Sequence, residues 1–340
     1  MHKEIGIDLG SSVMLVSTAE ENIIAREPTV VAVRREDKSL MGVGRAAEEI
    51  AHDPAKESSL LRPLRDGLFA DPEATRLMID HALHLTCGNH IIKPRVLIGV
   101  PFTATEEEEN LLEWTAIRAG ARETFFVYTP IAVMAGLNLP PDSAALIVDI
   151  GASQTSLMLI GGGKILYKNT VSAGGDAFNA AIVSYLFKQY GVRISLRSAE
   201  AIKLRIGTVW IHHEDKKVDI KGKNAQSGET VTVRVSSREM FDALEEPTAC
   251  LIAAVCEAIS KIPSPYVGEV FNRGILLSGG GAMLDGLDKM ISGVTGVGAR
   301  VVDRPDEITA LGLGKILADL PTSMKNQKTN ISLRCMRPEI

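Results

Sequence analysis

Asp8 and Asp149 each stand two residues before a glycine at the end of an apolar run, in EIGIDLGSS (Glu4–Ser12) and LIVDIGASQTS (Leu146–Ser156). A carboxylate so placed can hold a hydrated Mg2+, and a small-residue turn beside it lets backbone N–H groups approach phosphate oxygens. A second apolar run follows each turn, Val13–Val16 in one copy and Thr155 to Ile160 in the other. Both copies read as strand, tight turn and returning strand, and their recurrence half a chain apart suggests a duplicated architecture. Two such turns facing each other would grip a nucleotide triphosphate from both sides. A third run, GILLSGGGA at Gly274–Ala282, is again an apolar strand entering a glycine cluster, where an adenine ring or ribose would lie flat on the backbone. One glycine turn of this kind is more often an ordinary hairpin. Three in this order point to a nucleotide.

The elements that must carry these residues follow from patterning. Residues 4–33 read as two or three strands, with a helix near Ala46–Ala51 and a turn at Arg62–Gly67. Asp71 as N-cap and Pro72 at the first helical position begin a helix over Asp71–Leu85. The turn CGNHII, with Ile91 and Ile92 at its tip, and a strand Val96–Val100 come next. Thr103 or Thr105 caps a helix starting at Glu106–Glu109, whose acids suit the helix dipole, with Leu111, Leu112, Thr115 and Ala119 as the packed face. Phe125–Tyr128 reads as a strand, Pro130–Leu137 as a helix, and Leu139–Ser143, with its Pro-Pro pair, as the hinge between halves. In the second half a strand is expected at Lys164–Thr170 and helices at Ala177–Tyr190, Ser198–Gly207 and Met283–Ile291. Between them lie the polar strands VDIKG and ETVTVRV and a long helix Pro247–Ile262 packing through Leu251, Ala254, Val255 and Ile259. Val301–Asp303 reads as a strand, Glu307–Leu320 as a helix and Ser323–Ile340 as a loose tail.

A chain of 340 residues, 45% of them hydrophobic, can bury a large core in one to three domains. The net charge of −5 and the few aromatics argue against nucleic-acid binding as the main activity. Cys87, Cys250, Cys256 and Cys335 form no CxxC and suit a reducing cytosol, with Cys250 and Cys256 read as buried thiols in one helix. With no signal-peptide pattern and no apolar stretch of membrane-spanning length, the expectation is a soluble protein.

The three glycine turns, in this order, resemble the phosphate-1, phosphate-2 and adenosine motifs of the actin-like ATPase superfamily. Within it the chain is similar to the MreB family of bacterial actins over nearly its whole length. The likeness is carried by EPTVVAV (Glu27–Val33), RPLRDGLFAD (Arg62–Asp71), KPRVLIGVP (Lys93–Pro101), SAGGDAFNAAI (Ser172–Ile182), AEAIKLRIG (Ala199–Gly207) and RGILLSGGGAMLDGLDKMI (Arg273–Ile291). It implies an α/β, actin-like ATPase fold: two duplicated α/β domains, each with a smaller subdomain, around a nucleotide cleft. Domain I would span 1–143, with a subdomain about 34–70 and a helix about 305–320 returning to it. Domain II would span 144–304, with a subdomain about 192–247, leaving 321–340 as a tail.

The resemblance also assigns roles. ATP or ADP would bind with Mg2+ held by Asp8 and Asp149, through water in both cases by motif position. Gly10, Ser11, Ser12 and Val13, and opposite them Gly151, Ala152, Ser153, Gln154 and Thr155, would meet the phosphates. Gly174, Gly175 and Asp176 would line the cleft, and Gly279, Gly280, Gly281 and Ala282 would form the adenine floor. Glu200 and Lys203, one helical turn apart, would reach ribose and adenine; without the likeness they read as a surface ion pair. The implied function is a filament of self-associated subunits, peripheral to the inner membrane from the cytoplasm and organising cell shape. Another MreB-type protein and membrane morphogenesis proteins are the further partners. Ile91 and Ile92 stand where MreB proteins carry an exposed apolar loop that enters lipid, the alternative being burial against a neighbouring helix.

Several motif residues depart from the family. After the first glycine MreB proteins usually carry Thr-Ala-Asn-Thr, here Ser11, Ser12, Val13 and Met14. In the family's Asp-Ile-Gly-Gly-Gly-Thr-Thr-Glu, the replacements here are Ala152, Ser153, Gln154 and Ser156. A lost glycine that needed positive φ would cost on the order of 1 kcal/mol. The family's Glu-Glu-Pro, whose second Glu orients the attacking water, is Tyr128-Thr129-Pro130. Thr129 cannot serve as a carboxylate base, so binding with weak or absent hydrolysis is expected. The alternatives are a hydrolysis-deficient MreB paralogue acting as a co-assembling scaffold, a kinase of the same fold, which lacks a candidate acceptor base, and a chaperone-type ATPase, for which no peptide-binding domain is expected.

Overall fold

Unbroken apolar runs mark strands covered on both faces. VLIGV at 96–100 and ALIV at 145–148 are such runs, and they lie in the strands Arg95–Val100 and Ala145–Ile150, each inside a five-stranded sheet. The computed structural model describes residues 4–20, 23–65, 68–88 and 93–319. Ile91 and Ile92 and the 321–340 stretch lie outside the described residues. The chain divides into two units, Met1–Pro141 with Asp306–Ile340, and Asp142–Pro305.

The two large sheets share one topology. In the first unit Glu4–Leu9 is central, with Val13–Ser17 and Ile23–Pro28 antiparallel on one side and Arg95–Val100 and Glu123–Tyr128 parallel on the other. In the second unit Ala145–Ile150 is central, with Thr155–Gly161 and Lys164–Val171 antiparallel and Ile275–Ser278 and Ala299–Val301 parallel. Each unit adds a small three-stranded sheet: Leu40–Val43, Val31–Arg34 and Ser58–Leu61 in the first, Val192–Arg193, Lys217–Asn224 and Thr230–Ser236 in the second. Among the described residues no helix is long and apolar enough to cross a membrane.

Local signals set most helix starts. Asp71 accepts from the amides of Glu73 and Ala74 and opens Pro72–Cys87. Thr105, not Thr103, caps Glu106–Ala119 through a reciprocal capping box with Glu108. The buried face of that helix is Leu112, Thr115, Ala116 and Ala119; Leu111 falls at its edge and is exposed.

Other expectations are corrected. Residues 4–33 hold the starts of four strands rather than two or three, the last entering the small sheet. Arg62–Gly67 is not wholly a turn, since Leu64–Arg65 pairs with Leu68–Phe69. The long helix is Glu245–Ser260, preceded by a separate helix Ser237–Ala243 and followed by Ser264–Arg273. Its buried stripe adds Ala258 to Leu251, Ala254 and Val255, with Ile259 half-buried against the same core, and leaves Cys250 exposed and Cys256 half-buried, so these are not both buried thiols. After the glycine cluster, Gly280–Met283 is a short 3-10 turn and the helix begins only at Leu287, because Gly286 adopts φ 79°. The last strand is Ala299–Val301, not Val301–Asp303.

The helix Ile308–Asp319 packs in the first unit against Thr129–Gly136 at backbone contact. A Cβ on Gly312 would lie 1.7 Å from the Ala132 carbonyl oxygen, and one on Gly136 would lie 2.5 Å from that of Ile308. The Ser17 hydroxyl donates to Ala310 O at 2.6 Å, and Lys315 Nζ donates to Gly136 O at 2.6 Å and to Asn138 Oδ1 at 2.8 Å. Gly312→Ala must push the helices apart and is expected to cost about 3 kcal/mol in urea denaturation. Gly268→Ala, at a helical glycine with open space around it, should instead stabilise by about 0.5–1 kcal/mol.

Candidate functional site

The two Asp–Gly turns are built alike. Gly10 N–H donates to Val13 O at 3.2 Å, and Gly151 N–H donates to Gln154 O at 2.9 Å. A Cβ would lie 2.7 Å from the accepting oxygen at Gly10 and 3.1 Å at Gly151, so each glycine makes room for the bond that closes its own turn. Asp8 and Asp149 occupy the penultimate positions of their strands, opposite Leu15 and Ser156. Both turns leave the carboxyl end of a central strand, between its antiparallel and its parallel neighbour, where open α/β sheets receive ligands.

Each turn is also docked from behind. In the first unit Thr29 N–H donates to Ser12 O at 2.9 Å. In the second, Gly175 N–H donates to Gly151 O at 3.0 Å and Asp176 N–H to Ala152 O at 2.7 Å, at the start of the helix Gly175–Tyr190. Gly174 allows that approach, since its Cβ would meet Ala152 O at 2.5 Å. The amides of Gly175 and Asp176 are therefore engaged with the turn. Among the described residues no backbone carbonyl accepts from the amides of Ser11, Ser12, Ala152 or Ser153, so the turns do not use up these four N–H groups. Thr155 is fully buried in the sheet, with its hydroxyl donated to Ala173 O at 2.7 Å. Val13, half-buried, begins the returning strand and accepts the closing bond, as the half-buried Gln154 does in the other turn.

The missing glycines cost no backbone strain. Among the described residues the non-glycine positions with positive φ are Lys38, Glu57, Asn138 and Arg304. Ala152 and Ser153 are not among them, so the conditional penalty at these sites does not arise.

Asp149 is strongly perturbed. Burial pushes its carboxyl up to about 6, and a hydrogen bond from the Ser278 hydroxyl, 3.0 Å to Oδ1, pulls the other way. Ser278 escapes sequence reasoning. It faces Asp149 only because Ala145–Ile150 pairs in parallel with Ile275–Ser278, a register that no local pattern announces. The glycines that follow answer to the same register. Gly279, at φ 80°, would place a Cβ 2.3 Å from Ile150 O, and Gly281 would place one 2.3 Å from Ile150 Cγ2. Packing over the end of Ile150 thus suffices to require both; Gly280 is exposed and Ala282 buried.

Lys203, on the helix Leu196–Ile206, donates from Nζ to Gly175 O at 3.2 Å. Burial lowers its pKa, while the charges of Glu200 and Asp176 hold it up. Lys203, Glu200 and Asp176 therefore share one electrostatic neighbourhood at the helix start that holds the turn. Thr129, half-buried, is the first residue of Thr129–Gly136, and the preceding Tyr128 packs edge-on against Phe102 at 4.7 Å.

Among the described residues no three His, Cys, Asp or Glu side chains gather as a metal site. Mg2+ fits such a setting, since it is usually bound through one or two carboxylates, with water and substrate phosphates filling its remaining positions. Asp149, a desolvated carboxylate with the Ser278 hydroxyl beside it, would gain from a cation.

The raised acid fixes a sign. A carboxyl whose folded pKa lies above its ordinary 3.8 favours folding at lower pH and loses that contribution as pH rises through about 6. Without ligand, Asp149→Asn should therefore gain stability over the parent chain between pH 4 and 7, by about 2–3 kcal/mol at the upper end. Urea denaturation across that range checks it.

Comparison with known proteins agrees with this geometry. The family model described as MreB/Mbl protein matches residues 2–325. The cell shape-determining protein MreB of Escherichia coli (strain K12) is 33% identical over 322 residues, covering 92% of this chain and 93% of that protein. Mbl of Bacillus subtilis (strain 168), also named as cell shape-determining, is 30% identical over 321 residues, covering 94% and 96%. Among solved structures, MreB5 of Spiroplasma citri bound to ADP superposes with a TM-score of 0.89 at 24% identity, over 96% of this chain and 99% of that one. A MamK double helical filament gives 0.81 at 20% identity, over 94% and 99%. The chain has the actin-like fold and belongs to the MreB/Mbl family.

Proposed function

We propose that this chain is an MreB-type actin that binds ATP or ADP with Mg2+ and polymerises into membrane-associated filaments that organise cell shape. The observation that carries the reading is the pair of Asp–Gly turns, closed by the same hydrogen bond at the same strand position in both units. In this reading Ser11, Ser12, Ala152 and Ser153 donate backbone N–H groups to phosphate, and Asp8 and Asp149 hold the cation through water. The cation neutralises phosphate charge. Lys203 and Glu200 serve the ribose and adenine side, with Gly279–Ala282 beneath the base. Two relatives of known structure support the ligand and the assembly: Spiroplasma citri MreB5 has been seen with ADP and with AMPPNP, and MamK as a double helical filament. Ile91 and Ile92 are proposed as a lipid-inserting tip. Two such side chains contribute roughly 3–5 kcal/mol, which is firm only when many subunits act together.

Thr129 favours a second form of this reading, a hydrolysis-deficient paralogue that co-assembles with another MreB-type protein. A threonine hydroxyl at the first position of the helix Thr129–Gly136 cannot take a proton from water as a carboxylate does.

Binding is tested by thermal unfolding. Mg-ATP or Mg-ADP at about 100 times its Kd should stabilise the chain by about 2.7 kcal/mol, and Asp149→Ala should remove most of that gain. No shift with millimolar nucleotide would count against the reading.

Turnover is tested by phosphate release. The parent chain should hydrolyse ATP far more slowly than a relative with Glu at this position. Thr129→Glu should raise the rate by about 10- to 100-fold, below the full contribution of a positioned base. A parent rate equal to that of such a relative would remove Thr129 from the explanation.

A further inference from the structure

The small sheet of the second unit buries one face and opens the other. Side chains alternate across a strand, so Val218 and Ile220 enter the core while Lys217, Asp219, Lys221 and Lys223 project outward together. Across the ladder, Arg234 stands opposite Asp219, Thr232 opposite Lys221, Thr230 opposite Lys223, and Arg193 opposite Lys223 on the other side. Asp215, in the segment before the second strand, lies within electrostatic reach of Lys217, but within the three strands themselves Arg193, Lys217, Lys221, Lys223 and Arg234 stand against one carboxylate, Asp219. That carboxylate is taken by Arg234 in two hydrogen bonds of 2.7 and 2.9 Å. Glu229 belongs to the turn beyond Thr230. All this sits on a chain whose net charge is −5.

The fold does not ask for this face. Like charges directly opposite across a strand pair destabilise it, as Arg193 and Lys223 are here. Some relief comes from the Phe187 ring, 5.7 Å from the Arg193 guanidinium. We infer that this sheet face docks on an anionic phospholipid surface. The cations are spread over three strands of a sheet, and most are lysines, point charges without the fork geometry that fixes an individual carboxylate. Exposed Phe187 and Leu196 stand at the Arg193 edge, where apolar side chains can enter the headgroup level. A juxtaposed basic cluster draws such a surface over about a Debye length. This goes beyond the Ile91–Ile92 reading and does not depend on it.

The test is co-sedimentation of the full chain with vesicles of phosphatidylglycerol and phosphatidylcholine, and with phosphatidylcholine alone. Lys217→Gln, Lys221→Gln and Lys223→Gln combined should lower partition onto the anionic vesicles by about 100-fold. Asp219→Asn, which removes the one acid within the strands, should raise it by about 5-fold. Both effects should shrink with added salt and vanish on phosphatidylcholine alone. Ile91→Ser with Ile92→Ser should lower binding to both vesicle types by a common factor, so failure of the lipid-tip reading would leave this result standing. Equal partition of the triple variant and the parent overturns the inference, as does the absence of a gain in Asp219→Asn. Loss of lipid-free self-association in the triple variant, matching its loss of pelleting, also overturns it and makes the face a contact with an acidic protein surface.

Discussion

A single backbone hydrogen bond, from the Gly151 amide to the Gln154 carbonyl, shapes the turn on which the second unit's candidate site rests. A side chain at 151 would crowd the accepting oxygen. The start of the helix Gly175–Tyr190 then locks the turn with two bonds of its own, through the gap left by Gly174. Lys203 joins the same point through Gly175 O. One turn geometry therefore places the acid, the amide donors and the cationic side chain together. Its counterpart at Gly10 repeats the closing bond in the first unit.

The electrostatics follow from that placement. Asp149 stands half-buried near the end of a central strand, where desolvation works against its charge and the hydrogen bond from Ser278 favours it. A site that leaves a carboxylate so poorly compensated is suited to a cation arriving with phosphate, because the cation replaces the lost solvation. Thr129 supplies no charge of its own. The turn backbone and the Thr129 position lie on different elements, so under the proposed reading nucleotide binding and hydrolysis can be altered separately.

Charge is also segregated in the second unit. The site is built from backbone amides and a few carboxylates, whereas the open face of the small sheet gathers lysines and arginines. Strand alternation places Lys217, Lys221 and Lys223 on that face, and the pairing of three strands adds Arg193 and Arg234.

Much of this was legible in the sequence because the signals are local. An apolar run ending in Asp and a glycine turn, Asp71 before Pro72, and Thr105 before Glu108 each act within a few residues. The duplication was likewise visible, as the same local pattern written twice. What escaped depends on packing between segments far apart in the chain. Ser278 meets Asp149, and Gly279 and Gly281 fold over Ile150, through a parallel register that only the assembled sheet fixes. Cys250 turned outward and Ala258 inward because the contact stripe of Glu245–Ser260 is chosen by what packs on it, and periodicity alone leaves that phase open. Ala152 and Ser153 fit without strain because their φ angles are set by the docked turn, a backbone conformation that residue identity could not reveal.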